Sequence, residues 1–504
     1  MKPEPGAPTA PIDIAGGPAT ARDHLAAPRV AIPDDVLAQL RSSGADVTTD
    51  PDAVGRSGRD WWPLAMVWAT AGEVGARPSA VARPTSTEQV SALLATCDRA
   101  RIPVTTAGGR SSVVGGAVPV HGGLVLDLCA MSGIVSVDPV SLVVQVLAGT
   151  FGDRFEAELT ASHQLTVGHW PQSMALSTVG GWIACRGAGQ LSNRYGKIED
   201  IVVGLEVVLA DGRVIRTGGQ PRQAVGPDLN QLFVGSEGTL GVVTRAWLQA
   251  HAAPTHTRHA AYGFPSFAEG LDAMRRITQR GASPAVMRLY DEVESARNHQ
   301  TEAGVNVLLV LDEGDGAMVD AGMEVVAEEC KHALRLEDDL VHHWSEKRND
   351  VAALEALISR GYVVDTMEVA GPWAVLPGAF ESVIAEMQAV PGTLAVSAHQ
   401  SHSYQTGGCL YFTFAAQVEP DQRDAYYVAA WDAGTRAALA AGCALSHHHG
   451  VGLNRARFVA AALGPAFDVV AAIKTALDPN GVLNPGKLGL PDPFGPVEWP
   501  DRRG

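Results

Sequence analysis

Ile102-Pro103-Val104-Thr105-Thr106-Ala107-Gly108-Gly109-Arg110-Ser111-Ser112-Val113-Val114-Gly115-Gly116 sets a short apolar run directly before a loop with four glycines and two serines. Successive backbone N–H groups in such a loop can converge into a nest. A pyrophosphate suits that nest, because it needs close donors with no side chains in the way. Taken alone, the same letters also describe a glycine-rich surface loop. The spacing fits neither G-x-G-x-x-G at a strand-to-helix turn nor G-x-x-x-x-G-K-[ST], which disfavours a nicotinamide Rossmann site and a P-loop. Upstream, Thr85 and Glu88 read as a capping box, and Val90, Leu93, Leu94 and Cys97 share one face. The spacing predicts an amphipathic helix over 86–100 feeding a strand at 102–106.

Two more clusters follow. One runs Gly168-His169-Trp170-Pro171-Gln172-Ser173, then Ser177-Thr178-Val179-Gly180-Gly181-Trp182, then Arg186-Gly187-Ala188-Gly189. The other is Gly235-Ser236-Glu237-Gly238-Thr239-Leu240-Gly241-Val242-Val243-Thr244. A single extended ligand lying along all three needs backbone approach at each, which small residues permit. The chain holds 54 glycines in 504 residues, above the usual share of about 7%.

Strand-like runs at 124–128, 134–137, 142–148, 202–209, 214–217 and 242–248, with few long helices between them, predict an α+β fold. Residues 1–27 read as a flexible tail, and 28–77 as a lead-in whose Trp61, Trp62 and Trp68 pack on the body. Residues 78–252 form a first domain, 253–470 a second, and 471–504 a C-terminal segment. Helices are expected from Ser266 onward and at 467–477, the latter stopped by Asp478-Pro479-Asn480-Gly481.

With 46% hydrophobic residues the chain can bury a large core. Its 38 basic and 55 acidic side chains give a net charge of −17, the wrong sign for tracking nucleic-acid phosphates. The six cysteines are scattered without C-x-x-C, so neither a zinc ribbon nor a disulfide framework is read. Neither a signal peptide nor a membrane-spanning run is seen, and a cytoplasmic setting is expected.

The three clusters, in order over about 83–250, resemble the FAD-binding domain of vanillyl-alcohol-oxidase (PCMH-type) flavoproteins. The resemblance implies a two-lobed FAD-binding domain at 78–252, an α+β cap or substrate domain at 253–470, and a last segment that returns to the FAD domain. It also implies cofactor contacts at Gly108, Gly109, Arg110 and Ser111, and at Gln172, Ser173, Ser177, Thr178 and Gly181. Further contacts are implied at Cys185, Arg186, Gly187 and Ala188, and at Glu237, Gly238, Thr239, Gly241, Val242 and Val243. Members that attach flavin through the first loop carry His where this chain has Arg110, so non-covalent FAD is expected.

Ser446-His447-His448-His449-Gly450-Val451-Gly452 is the candidate reactive segment. Histidine suits general-base work near neutral pH. A metal is not assigned: His447 and His449 would share one face of a strand, but no carboxylate or thiolate motif supplies further ligands. This segment, with Gly407–Phe412, Pro284–Leu289 and Tyr195–Asp200, closely resembles the alkyl-dihydroxyacetonephosphate synthase group. The resemblance implies Tyr411 as acid/base, His447, His448 and His449 shaping the flavin pocket, and Arg288 supporting the site. Those enzymes join a fatty alcohol to an acylated substrate through a flavin N5 adduct, without net redox.

One position departs from that group. Its substrate-binding arginine falls at Leu354 here, which offers no fork to a phosphate; Arg348 is the nearest substitute. The expected activity is therefore oxidation of an alcohol or hydroxy acid by hydride transfer to flavin N5. The ether-lipid synthase is the alternative, and a catalytically silent flavin binder a third reading. Glu368 and Asp365 carry no motif and read as solvated or structural. The expected partners are a small-molecule or lipid-like substrate and a second copy in a homodimer, with no nucleic acid; peripheral membrane contact stays open.

Overall fold

A computed structural model describes residues 11–499. The first domain is built on two sheets. In the smaller, the strands Ala80–Arg83, Leu124–Asp127 and Val104–Ala107 run parallel, with Asp46–Thr48 added antiparallel at one edge. The helix Thr87–Ala100 precedes Val104–Ala107 and buries Val90, Leu93, Leu94 and Cys97, the face read from the spacing. Its cap lies one residue later than expected: Ser86 accepts from the Gln89 backbone, while the Gln89 side chain accepts from Thr85. The second sheet is antiparallel, ordered Val214–Gly218, Val202–Val208, Val242–Gln249, Val143–Leu147, Ile134–Asp138.

The second domain is a seven-stranded antiparallel sheet, ordered Leu334–Leu336, His256–Phe264, Asn306–Gly314, Val286–Tyr290, Thr393–Ser403, Gly407–Ala416, Val363–Pro372. Side chains alternate across a strand, so one sheet carries two chemistries. Met287, Leu289, Ala398, Leu410, Phe412, Met367 and Val369 belong to the apolar core shared with Phe267–Gln279, Leu376–Gln388 and Arg423–Ala440. Burying one such Leu or Phe contributes about 1.5–3 kcal/mol. Arg288, His399, Tyr411 and Glu368 occupy the opposite face. The register sets Tyr411 opposite both Glu368 and His399.

The chain before residue 28 is not a free tail where the structure describes it. Ile12, Ile14, Ala21 and Leu25 are buried, and Arg22–Asp23 pairs with Glu73–Val74. Residues 1–10 of that expected tail lie outside the described residues. The last segment runs alongside the glycine loop's strand: Val104 N–H donates to Val482 O at 2.7 Å, and Asn484 N–H to Val104 O at 2.8 Å. No helix among the described residues is long and apolar enough to cross a membrane.

Candidate active site

A cavity of about 700 Å³ runs from the glycine loop, past the other two clusters, to the polar face of the seven-stranded sheet. Gly108, Gly109, Arg110, Ser111, Gln172, Ser173, Ser177, Thr178, Gly181, Cys185, Gly187, Ala188, Glu237, Gly238, Gly241, Val242 and Val243 all line it. Two expected cofactor residues do not. Arg186 turns to the carbonyls of Gln231 and Val234, and Thr239 bonds back to Ser236 O within the core. Both sit in glycine motifs, but their side chains stabilise the loops rather than face the cavity.

The glycines serve two ends. A Cβ on Gly109 would meet Leu176 O at 1.8 Å, and one on Gly108 would meet Thr178 Oγ1 at 2.2 Å, so these allow loop to pack on loop. A Cβ on Gly187 would meet nothing nearer than 3.5 Å and would take up cavity space. Arg110 lines the cavity yet is tied by its guanidinium to Asp127 at 3.0 Å and to Ser57 at 3.3 Å. It adopts φ 54°, a left-handed backbone that costs a side-chain-bearing residue.

His169, which the sequence reading left unassigned, is fully buried on the cavity wall, and neither ring nitrogen has a protein partner among the described residues. Burial, with Lys197 nearby, pushes its pKa down to about 3, so the imidazole is neutral. An orphaned polar ring on a wall of small residues fits an extended, polar-edged cofactor. No spacing could single it out, because a lone histidine carries no pattern.

At the reactive end the cavity is walled by Arg288, His399, His402, Tyr411, Thr366, His448 and His449. His447 is not on this wall. Its Nε2 lies 2.6 Å from the Tyr404 hydroxyl, so of the triplet only His448 and His449 face the cavity. Glu368, expected to be solvated or structural, is fully buried and organises the triplet. Its Oε1 accepts from the backbone N–H groups of His447, His448 and His449 at 3.0, 2.9 and 2.8 Å and from Ser446 Oγ at 2.6 Å. Its other oxygen pairs with the buried Arg455. Burial pushes the Glu368 pKa up, but Arg455 and His449 outweigh it and hold the carboxylate well below its usual range.

Arg288 donates from NH2 to His399 Nε2 at 2.6 Å, and His399 Nδ1–H donates to Glu294 at 2.9 Å. Burial, with Arg288 adjacent, lowers the His399 pKa to about 4. Arg288 thus touches neutral rings, His399 and Tyr290, the latter 5.4 Å below its guanidinium, while the Glu294 carboxylate lies behind His399; its buried Nε has no hydrogen-bond partner among the described residues. Tyr411 stacks on His399, ring centroids 4.7 Å apart, and donates to Thr366 at 3.0 Å. Burial raises its pKa above the ordinary phenol value, so Tyr411 stays protonated and serves as a donor.

Leu354 and Leu357, from the helix Ala352–Ile358, wall the cavity. Arg348, read as the nearest substitute for the synthase group's arginine, does not fill that role. Its guanidinium lies over Trp170 and Trp344, 5.2 and 5.9 Å from the ring centroids, and is not on the cavity wall. His402, His447 and His448 each bring a nitrogen within 4.8 Å of the others. Two of these, His447 Nδ1 and His448 Nδ1, already face each other at 2.8 Å.

The FAD binding domain family matches residues 78–218, and the C-terminal domain of FAD linked oxidases matches 253–488. The chain belongs to the FAD-linked oxidases. It is 32% identical over 434 residues to the uncharacterized FAD-linked oxidoreductase YgcU of Escherichia coli K12, covering 82% of this chain and 89% of that one. It is 28% identical to alkyldihydroxyacetonephosphate synthase of Dictyostelium discoideum, covering 86% and 76%, and 29% identical to glycolate oxidase subunit GlcD of Bacillus subtilis, covering 82% and 90%. In fold it matches an alkyldihydroxyacetonephosphate synthase structure at TM-score 0.75 and 23% identity over 96% of this chain and 89% of that one. It matches p-cresol methylhydroxylase at 0.70 and 19% over 94% and 100%. This FAD-linked oxidase is an enzyme whose cofactor is FAD, and the cavity lining and the orphaned His169 suit that group.

Proposed function

We propose that this FAD-linked oxidase oxidises a small hydroxy acid, or an alcohol bearing another anionic group, with FAD as hydride acceptor. The observation that carries the reading is Arg288: a guanidinium in the cavity wall, bonded to a neutral imidazole, with its Nε unpartnered among the described residues. Such a group binds an anion strongly where water is excluded. FAD when bound supplies a two-electron acceptor. The chain's own residues do the rest: Arg288 holds the anionic end, Tyr411 turns its hydroxyl proton from Thr366 to the substrate oxygen, and His448 Nε2 takes the hydroxyl proton.

The alternative, an ether-lipid synthase, draws support from the 28% identity to the Dictyostelium enzyme. Against it, the wall carries Leu354 at the position where the resemblance to the synthase group implies an arginine. An anaerobic spectral screen of the purified flavoprotein against hydroxy acids, alcohols and acyl-dihydroxyacetonephosphate separates the two. Bleaching by a hydroxy acid is expected; exchange of acyl for fatty alcohol without net bleaching would overturn the oxidase reading.

A further inference from the structure

The histidine triplet contains one member that the proposed chemistry leaves idle. His447 is buried and points away from the cavity, yet both its ring nitrogens are engaged: Nδ1 with His448 Nδ1 at 2.8 Å, and Nε2 with the Tyr404 hydroxyl at 2.6 Å. Its main chain is fixed on both sides, the N–H by Glu368 at 3.0 Å and the carbonyl by Lys197 Nζ at 2.7 Å. Its ring stacks on His402, centroids 4.9 Å apart, and His402 is itself tied to Ser192 Oγ at 2.6 Å. His402 sits at a register break in its strand with φ 53°, strain that a packing role alone does not require. Tyr404 is only partly buried and lies in the turn beyond that break, its carbonyl held by Trp373 Nε1 at 2.9 Å.

We propose that His448, His447 and Tyr404 form a proton exit from the substrate cavity to the protein surface. The proposal rests on the reading of His448 as the base that receives the substrate's hydroxyl proton. In the receptive state His448 carries its proton on Nδ1 and hydrogen-bonds to His447 Nδ1, while His447 carries its proton on Nε2 and hydrogen-bonds to Tyr404. The substrate O–H bond breaks as its proton binds His448 Nε2. The His448 Nδ1 proton then moves to His447 Nδ1, the His447 Nε2 proton moves to the Tyr404 oxygen, and the Tyr404 proton leaves to water. The electron pair left on the substrate oxygen would form the carbonyl, for which bound FAD would supply the two-electron acceptor. The relay moves protons alone, and each imidazole ends neutral with its tautomer reversed.

The surroundings call for such a route. Burial and then the neighbouring His449, His447, His402 and Lys197 hold the His448 pKa well below that of a free imidazole. A lone His448 would have to keep an imidazolium where that charge is disfavoured. A relay passes the proton on without storing the charge. Lys197, which opposes positive charge here, also fixes the carbonyl of His447 and so the path itself.

The test uses the FAD-loaded full chain with ¹⁵N-labelled histidine, read by long-range ¹H–¹⁵N NMR at neutral pH, beside Tyr404→Phe. The expected result is a neutral, single-tautomer pattern for His447 and His448, with His447 losing its tautomer preference in Tyr404→Phe while FAD content and flavin absorbance stay unchanged. With the hydroxy acid that bleaches the flavin in the spectral screen, Tyr404→Phe is expected to slow bleaching by about tenfold or more and to change its solvent isotope effect. An imidazolium at either ring, His447 signals indifferent to Tyr404→Phe, or a stoichiometric divalent metal on His402, His447 and His448 would each overturn the relay. If no hydroxy acid bleaches the flavin, the oxidase reading falls, and the NMR result still decides whether the hydrogen-bonded chain exists.

Discussion

Glu368 Oε1 accepts a hydrogen bond from the backbone N–H of His447 at 3.0 Å, and the same oxygen takes the next two N–H groups in sequence. A single carboxylate thus sets the direction of three histidines. Glu368→Gln keeps the volume but leaves Arg455, fully buried, without its counter-charge. Breaking one side of a buried pair costs about 3–5 kcal/mol. A clear fall in the thermal midpoint and an altered visible circular dichroism of the bound flavin are expected; an unchanged spectrum would show that the triplet's direction does not depend on Glu368.

Arg288→Gln removes a guanidinium from the cavity wall. Binding of oxalate, read as a perturbation of the flavin spectrum, is expected to weaken about tenfold to a hundredfold, the loss of one charge-assisted hydrogen bond of about 1.5–3 kcal/mol. Arg288→Lys keeps the charge but loses the fork that reaches His399, and should recover only part of the affinity. Equal oxalate binding by all three proteins would remove Arg288 from substrate recognition.

Tyr411→Phe keeps the stacking on His399 and deletes the hydroxyl that bonds to Thr366. The expected outcome is bleaching by substrate slowed about a hundredfold with FAD content intact. Because burial raises the Tyr411 pKa, the wild-type pH–rate profile should show no phenol ionisation below about pH 10.

Asp365 is fully buried, accepting from Tyr427 and Trp431, and burial raises its pKa to about 7. An acid whose folded pKa lies above its unfolded value of about 3.9 binds more protons when folded. Its contribution to stability is full below that unfolded value and is lost as pH rises toward 7. Stability is therefore expected to fall between pH 4 and pH 7 by an amount on the order of 2–4 kcal/mol from this group. Asp365→Asn should flatten that slope in urea titrations; a slope identical to wild type would assign the pH dependence elsewhere.

FAD held without a covalent bond should leave the protein on acid precipitation, giving a colourless pellet and a yellow supernatant. Gly187→Val adds carbon into open cavity space and is expected to lower FAD content severalfold while secondary structure, read by far-ultraviolet circular dichroism, is kept. Full FAD loading of Gly187→Val would mean that the cofactor runs elsewhere along the cavity.

The segments that line the cavity were legible because their residues are contiguous. Glycines and hydroxyls cluster within a few positions, where local backbone conformation and close approach are already decided by residue type. The helix over 86–100 was legible for the same reason, its apolar period being local. By contrast, Glu368, His399, His402 and Tyr404 stand alone in the sequence, and their partners lie 12 to 210 residues away. Only the register of the seven-stranded sheet brings His399 and Glu368 to either side of Tyr411, and only a register break turns His402 toward His447. Motif membership did not give side-chain direction: Arg186, Thr239 and His447 lie in the expected segments, and their side chains do not line the cavity.

Sequence by itself therefore determined the family and the cofactor, since contiguous glycines and hydroxyls already decide where a backbone can be approached closely. Tertiary structure alone decided which histidines face the cavity, what orients them and which groups surround Arg288. Those properties depend on distances and burial between strands far apart in the chain.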